Sequence, residues 1–538
     1  MSMDHQMISS FAAKRRRPAR RAGFLIQAVA LGAVLFTGAP DPAAAQSPRS
    51  ELQSAVRSAV RRDREIARFY EARAYRPLWL HNGVAGPEAR QLLHLLETAD
   101  ADGLDPAAYR PDALVASLAE AEGGRRRAVA RAEMQLSSAF AQYVRDVRSP
   151  RDVGVVYTEA RYRPAVPSKT EVLTAAAAAP DLTAYLETIA WMNPLYVQLR
   201  GALAAYRGLG TGPAMHIPSG TVLRPGTSDP RVPLLRARLG LAPGGSYDAA
   251  VVSAVRQLQR AHGQPADGVA GPLTLALLNH GSSETRQLLR LNLERARALP
   301  AQLGRRYVLV DAAAARLWMY EDGRAVDSMR VVVGKPSEQT PMMAATIRYA
   351  VLNPYWNVPP DLVRERIAPG VLREGNGFVR SRRYELLSGW EQNARRLEPG
   401  SVDWAAVAAG RRELRVRQLP GPDNAMGRMK FMFPNDLGVY LHDTPDRSLL
   451  REEGRLFSAG CVRVEDAPRL ARWLFGEAPR ARGSTPEQQV DLPEPVPVYI
   501  TYMTAAPEPQ GVALRPDVYN RDPAHLALLA SDARQNRR

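Results

Sequence analysis

Two residues near the C-terminus carry side chains that together could perform nucleophilic chemistry. Cys461 is the only cysteine of the 538-residue chain, and His442 precedes it by nineteen positions. A thiol becomes a strong nucleophile when a neighbouring base removes its proton or a positive charge favours the thiolate. We therefore expect Cys461 to be a nucleophile and His442 to be its base. An inert cysteine in the core is the alternative.

The residues around this pair follow the alternation of a strand. Tyr440 lies two positions before His442, and Arg463 lies two positions after Cys461. Residues two apart along a strand share one face, so we expect Tyr440 to point into the same cleft. The Arg463 guanidinium could hold a substrate carboxylate, although an ordinary surface ion pair would use the same group. Gly460 leaves room for an approaching carbonyl, and its N–H and that of Cys461 could form an oxyanion hole.

Asp443 is the candidate for orienting the imidazole, because it directly follows the histidine. Its backbone carbonyl and its side chain could each accept a hydrogen bond from the ring, and both possibilities stay open. The other histidines show no metal-ligand spacing, so we expect neither a metal nor a cofactor.

Short apolar stretches separated by turn signals predict a β-rich domain over residues 300–504. The expected strands are 307–310, 317–320, a return strand ending at 333, 346–352, 431–433, 439–441, 462–464 and 496–502. Asp322-Gly323 predicts a tight hairpin turn between the second and third strands. Residues 362–428 interrupt the domain with helical stretches. An insert of that length is expected to be a lid or a substrate wall.

The segment around the cysteine resembles the signature of the L,D-transpeptidase catalytic (YkuD-like) family. The matching residues, in chain order, are His442, Ser458, Gly460, Cys461 and Arg463. Ala459 stands where most members have a second histidine, and a small residue at that position is usual in the large multidomain (YcbB-type) subgroup. In the family the upstream histidine is the base, so this difference leaves the implied catalysis in place.

Other passages are similar to the same subgroup. They are Asn353-Pro-Tyr-Trp356-Asn-Val-Pro-Pro360, Lys430-Phe-Met-Phe-Pro434-Asn435, the long insert, and the N-terminal segment from Phe69 to Trp79. Beside Arg463 and Tyr440, we expect Ser458, Trp356 and Asn435 to be substrate-binding residues. For Trp356, a place in the core is the alternative.

The resemblance implies an acyl transfer on peptidoglycan. The thiolate would attack the carbonyl of the third stem-peptide residue, release D-Ala and leave a thioester, and a neighbouring stem amine would then complete a 3→3 cross-link. The same site could instead serve an L,D-carboxypeptidase or an acyltransferase that attaches a lipoprotein. The non-enzymatic alternative is a peptidoglycan-binding scaffold without catalytic activity. The family also implies roles in cell-wall organization and cell shape, and sensitivity to carbapenems.

The N-terminal half predicts helices rather than strands. Residues 46–210 have helical apolar spacing and no catalytic constellation, as expected for a helical scaffold domain. Residues 220–282 resemble the three-helix peptidoglycan-binding domain of wall enzymes, with turns at Asp267-Gly268 and Gly271-Pro272. Residues 505–538 are expected to be a C-terminal tail. The predicted fold is thus multidomain α+β: a helical scaffold, a three-helix binding domain and a β-rich catalytic domain with a helical lid insert.

The N-terminus and the composition indicate where the protein acts. Residues 1–45 have a cationic segment, an apolar segment and a small-residue cleavage site, the layout of a signal peptide; an uncleaved anchor is the alternative. The net charge of +17 favours polyanions, but no nucleic-acid-binding motif accompanies it. We expect a periplasmic protein whose partners are peptidoglycan stem peptides, with other cell-wall synthesis proteins left open. We expect no nucleic acid and no stable membrane span after signal cleavage.

Overall fold

The computed structural model describes most of the chain after the predicted signal peptide. The described residues are 48–81, 83–205, 217–218, 220–261, 266–271, 274–275, 278, 282–391, 393–452, 454–508 and 511–535. The predicted signal peptide, residues 1–45, lies outside them. None of the helices in these ranges is long and apolar enough to cross a membrane.

The N-terminal part forms a helical unit around one apolar core. Its α-helices are Pro48–Val60, Arg64–Ala72, Pro87–Glu97, Pro111–Glu122, Arg126–Arg148, Lys169–Ala178, Leu182–Thr188 and Pro194–Ala205. Short 3-10 helices span Ala99–Asp102, Pro106–Tyr109 and Ala160–Tyr162. The second α-helix begins where Asp63 accepts hydrogen bonds from the backbone N–H groups of Glu65 and Ile66. Its buried residues are Ile66, Phe69 and Tyr70, in agreement with the helical apolar spacing predicted for residues 46–210.

A second, smaller helical unit follows. Its helices are Val232–Arg238 and Ala249–Ala261. Asp248 accepts a hydrogen bond from the backbone N–H of Val251 at 3.1 Å and so caps the start of the second of these helices. The third expected helix, at 271–278, includes residues outside the described ranges.

The strands are numbered in chain order. They are β1 (Leu80–His81), β2 (Val84–Ala85), β3 (Val156–Tyr157), β4 (Arg306–Asp311), β5 (Arg316–Glu321), β6 (Arg324–Gly334), β7 (Met343–Leu352), β8 (Trp356–Val358), β9 (Tyr384–Leu387), β10 (Arg396–Leu397), β11 (Arg415–Gln418), β12 (Met429–Met432), β13 (Leu441–His442), β14 (Leu456–Ser458), β15 (Val462–Val464), β16 (Gln488–Thr501), β17 (Ala505–Glu508) and β18 (Gly511–Leu514).

The C-terminal half is built on one large mixed sheet. Its order is β12-β13-β15-β6-β5-β4-β16-β7-β3; β12 also pairs with β7, and β14 pairs with β6. The sheet encloses an apolar core, against which the helix Ala467–Phe475 packs. Asp322 and Gly323 have φ angles of 47° and 76°, so the predicted hairpin turn between β5 and β6 is confirmed. β3 comes from the helical part of the chain and pairs in parallel with β7, which the sequence did not predict.

The long insert has a fold of its own. Helices span Pro360–Leu362, Ala368–Glu374, Gly377–Ser381 and Trp404–Ala408, a π-helical turn spans Val363–Ile367, and a 3-10 turn spans Pro399–Ser401. A four-stranded sheet of order β10-β9-β11-β8 packs against these helices around a separate apolar core. The expectation of a helical lid insert was therefore incomplete. Its strands are two to four residues long, too short for an alternating pattern to reveal them.

The segment expected to be a C-terminal tail is folded. β17 and β18 form a hairpin, and a helix follows at Asp522–Gln535. Val512 and Leu514 join the core of the N-terminal helical unit. The Arg295 guanidinium, on the linking helix Ser282–Arg297, donates to the Asp522 carboxylate at 2.7 Å. Val512, Ala513, Leu514 and Tyr519 of this segment are buried, so it does not project as a free tail.

Candidate active site

The register of two neighbouring strands places the expected catalytic residues on one face. β13 and β15 are parallel, with Leu441 opposite Val462 and His442 opposite Arg463. Leu441 and Val462 are fully buried in the core of the sheet. Because side chains alternate along a strand, Cys461, His442 and Arg463 lie on the opposite face. The thiol and the imidazole are therefore diagonal neighbours across adjacent strands.

The His442 ring is held in one orientation by the backbone. Its Nδ1 donates a hydrogen bond to the carbonyl oxygen of Asp443 at 2.6 Å, which leaves Nε2 as the basic nitrogen. Burial lowers the pKa of His442 to about 3, and the nearby positive charges of Arg463 and Lys430 act in the same direction. The imidazole is therefore neutral at physiological pH.

The backbone carbonyl and the side-chain carboxylate of Asp443 have different hydrogen-bond partners. Its carbonyl holds the imidazole, whereas its buried carboxylate accepts the backbone N–H of Arg428 at 2.9 Å and the Arg447 guanidinium at 3.1 Å. Of the two possibilities left open by the sequence, the carbonyl is the group in contact with the ring.

The Cys461 sulfur is surrounded by hydrogen-bonding groups. Cys461 is partly exposed, and its Sγ lies 3.5 Å from the carbonyl oxygen of Gly438. Burial raises the pKa of the thiol, whereas hydrogen bonds from the backbone and hydroxyl of Tyr440 and the charge of Arg463 oppose that rise. Tyr440 thus lies close enough to the thiol to influence its pKa. At neutral pH the thiol and the imidazole are therefore both uncharged.

The turn before the cysteine is fixed by two side-chain hydrogen bonds. Gly460 has a φ of 100°, which favours glycine, and its carbonyl accepts the Thr340 hydroxyl at 2.8 Å. The Ser458 hydroxyl donates to the Cys461 carbonyl at 2.5 Å. Within the described part of the chain, the backbone N–H groups of Gly460 and Cys461 donate to no protein acceptor. They are available to bind an oxyanion.

Arg463 faces the site and forms no ion pair with the carboxylates that the structure describes. Its Nε is buried and has no hydrogen-bond partner among the described residues, and none of their carboxylates forms an ion pair with it. Burial lowers its pKa, and the charges that act on it are those of Cys461, Asp446 and Arg366 of the insert. The arrangement leaves the guanidinium able to bind a carboxylate from outside.

This arrangement coincides with a known catalytic domain. Residues 305–498 match the model of the family described as the L,D-transpeptidase catalytic domain. This stretch of the chain belongs with that domain family by its match. Residues 64–203 match the scaffold domain, and residues 235–278 match a candidate peptidoglycan binding domain. The three matches confirm the predicted family and the multidomain α+β architecture.

One curated relative and two solved structures extend the comparison. A Haemophilus influenzae protein described as a candidate L,D-transpeptidase is 32% identical over 247 residues, which are 45% of this chain and 49% of that protein. The chain thus spans about half the length of this relative. An L,D-transpeptidase from Mycobacterium smegmatis is 14% identical with a TM-score of 0.19, over 36% of this chain and 58% of its own. An L,D-transpeptidase from Xylanimonas cellulosilytica is 18% identical with a TM-score of 0.16, over 53% and 98%.

Two residues expected to bind substrate, Ser458 and Asn435, make other contacts. Ser458 is buried and bound to the Cys461 carbonyl. The Asn435 amide donates to the carbonyls of Phe433 and Val439, both at 2.7 Å, so it organises its own loop. These contacts use the polar groups that substrate binding would need, and they assign Ser458 and Asn435 to holding the loops.

Trp356 precedes the insert in the chain and lies on the small four-stranded sheet that packs with it, not on the large sheet. It belongs to β8, packs partly buried against the insert's core, and its ring centroid is 6.4 Å from that of Tyr384. This corresponds to the core alternative more than to an apolar wall of the cleft. In the described ranges, no group of three or more His, Cys, Asp or Glu side chains could hold a metal ion.

Proposed function

We propose that this chain is an L,D-transpeptidase that forms 3→3 cross-links in peptidoglycan through a cysteine thioester. The observation that carries the proposal is the placement of the Cys461 thiol and the neutral His442 imidazole on one face of the β13–β15 pair, within the matched catalytic domain. A neutral imidazole beside a protonated thiol is the arrangement that general-base activation of a nucleophile requires.

The first step is acylation. His442 Nε2 takes the thiol proton as Cys461 Sγ attacks the carbonyl carbon of the third stem-peptide residue. The bond from that carbon to the D-Ala nitrogen then breaks. His442 passes its proton to the departing amine, and a thioester remains on Cys461. The N–H groups of Gly460 and Cys461 stabilise the oxyanion that forms in between.

The second step is transfer to an amine. The side-chain amine of the third residue in a neighbouring stem attacks the thioester carbonyl, and His442 accepts its proton. The carbon–sulfur bond breaks, the thiol regains the proton, and an amide joins the two stems. Arg463 supplies a charged guanidinium whose Nε has no partner among the described residues, which suits a carboxylate of a stem peptide.

The other domains place this chemistry at the wall. The small helical unit binds peptidoglycan, and the scaffold domain supports the catalytic domain. The substrate lies outside the cytoplasm, so we propose that residues 1–45 direct export and that the protein acts in the periplasm. Other cell-wall synthesis proteins are candidate partners.

Product analysis with purified tetrapeptide muropeptides tests the proposal. The wild-type protein should yield cross-linked dimers and free D-Ala in equal amounts, and Cys461→Ala should yield neither while still binding isolated peptidoglycan. Tripeptides without dimers would show that water is the acceptor and would replace the proposal with an L,D-carboxypeptidase. Dimers formed by Cys461→Ala would refute it.

A further inference from the structure

A buried threonine links the nucleophile turn to the preceding part of the sheet. Thr340 follows β6, and its side chain is fully buried. Its hydroxyl donates to the Gly460 carbonyl at 2.8 Å and accepts the backbone N–H of Gly334 at 2.9 Å. Both hydrogen-bonding functions of the hydroxyl are therefore in use, and its direction is fixed.

The C-terminal segment holds the same threonine from the other side. The buried Tyr519 hydroxyl donates to the Gly334 carbonyl at 2.7 Å and accepts the Thr340 N–H at 3.5 Å. The Arg521 guanidinium donates to the Thr340 carbonyl at 2.9 Å and to the Gln339 side-chain oxygen at 2.9 Å. The segment once expected to be a free tail thus contacts the loop that carries Thr340.

This segment is itself rigidly attached. The rings of Tyr519 and Tyr502 stack with centroids 5.1 Å apart, and the Tyr519 N–H donates to the Tyr502 hydroxyl at 2.9 Å. Asp522 receives the hydrogen bond from Arg295 of the linking helix, whose apolar residues pack in the helical unit's core. A continuous set of contacts therefore runs from the scaffold domain to Thr340.

Peptide geometry connects Thr340 to the chemistry. The Gly460 carbonyl and the Cys461 N–H belong to one planar trans peptide group, so they point in opposite directions. A donor that fixes the carbonyl on the protein side therefore aims the N–H away from it, toward the cleft. The Ser458 hydroxyl fixes the next carbonyl, that of Cys461, at 2.5 Å. The peptide groups on both sides of the nucleophile are thus held by side chains.

We propose that Thr340, braced by Tyr519 and Arg521, is the positioning residue that aims the Cys461 N–H at the oxyanion of the acyl-transfer reaction. This inference rests on the proposed function, because it assigns a role in the same reaction. Thr340 touches no substrate atom; it acts through the Gly460–Cys461 peptide. The C-terminal segment is accordingly a part of the catalytic domain's support.

The test compares two reactions of Cys461 in the full-length protein. Acylation by a carbapenem, followed by mass spectrometry, passes through a tetrahedral oxyanion, whereas alkylation by iodoacetamide does not. Thr340→Val keeps the shape of the side chain and removes the hydroxyl. It should slow the maximal acylation rate roughly 10- to 100-fold, a part of the loss expected when an oxyanion donor is removed outright, and leave alkylation at the wild-type rate.

Matched variants separate positioning from folding. Thr340→Ser retains the hydroxyl and should restore most of the acylation rate. Tyr519→Phe should slow acylation by a smaller factor, whereas Tyr157→Phe, which removes a hydroxyl that donates to the Ala298 carbonyl, should leave it unchanged. Equal loss of alkylation in Thr340→Val, acylation at the wild-type rate, or failure of serine to rescue would each overturn the inference. Failure of the wild-type protein to acylate would refute the proposed function instead.

Discussion

Nδ1 of His442 donates its hydrogen bond to the backbone carbonyl of Asp443, 2.6 Å away, and not to a carboxylate. A carboxylate partner would favour the imidazolium strongly, whereas a carbonyl fixes the tautomer and favours it only modestly. Burial and the charges of Arg463 and Lys430 lower the pKa of His442 by more than this hydrogen bond raises it, so the imidazole stays uncharged. The site therefore differs from a preformed thiolate–imidazolium pair, and its dependence on pH follows from that difference.

The acid limb of the pH–rate profile should lie far below the ordinary histidine range. The reaction needs neutral His442, whose pKa is lowered to about 3, so kcat/KM should stay nearly constant as the pH falls from 7 to 5. Initial rates of D-Ala release across that range provide the measurement. A half-maximal rate near pH 6.5 would contradict the assignment of a buried, neutral base.

The same pKa shift predicts a loss of stability in acid. The unfolded chain protonates His442 near pH 6.5, whereas the folded chain resists protonation down to about pH 3. The stabilisation is complete above pH 6.5 and is lost as the pH falls toward 3, by about 1.4 kcal/mol per pH unit at most. Between pH 7 and pH 5 the thermal unfolding midpoint should fall further for the wild type than for His442→Gln. An equal drop in both proteins would count against the shift.

Arg463 should contribute through the shape of its guanidinium as well as its charge. Arg463→Lys keeps the charge but loses the two parallel donors that grip a carboxylate, so the KM for a tetrapeptide donor should rise about 10-fold. Arg463→Ala should raise KM further. Arg447→Lys is the matched control, because Arg447 is bound to Asp443 and has no proposed substrate contact. Unchanged KM values in both Arg463 variants would remove the residue from the substrate-binding site.

Gly427 should be intolerant of a side chain because of what it faces. Its φ is 64°, and an added Cβ would lie 2.5 Å from the side chain of Asp443, whose carbonyl holds the His442 imidazole. Gly427→Ala should therefore lower both the thermal midpoint and the acylation rate. Gly124→Ala provides the control, because Gly124 has a φ of 69° and open space around it. Its cost should be limited to the backbone strain, roughly 1–2 kcal/mol. Equal effects of the two substitutions would contradict the contact with Asp443.

The sequence predicted the parts of the fold that have a clear period or turn signal. The long strands β4 to β7 and the hairpin at Asp322-Gly323 follow from alternation and turn chemistry. Strand parity predicted that Tyr440 shares a face with His442 and that Arg463 shares a face with Cys461; the register between the two strands came from the structure. The roles of these residues stay predictions until they are tested by substitution.

Other features depend on contacts that no local pattern records. β3 has two residues and pairs with a strand almost 190 positions later, so periodicity could not reveal it. The inward orientations of Ser458 and Asn435 are set by turn geometry rather than residue type. No sequence motif around Thr340 indicates that it contacts the turn before Cys461. Its link to Gly460 spans 120 positions and exists only in the folded chain.

Intact-mass spectrometry of the protein with a tetrapeptide muropeptide tests the central claim most directly. Rapid acid quenching should trap the acyl-enzyme, and peptide mapping should place a thioester on Cys461, with the adduct absent from Cys461→Ala and strongly reduced in His442→Ala. An adduct on any other residue, or turnover in the wild type without a covalent intermediate, would contradict the account.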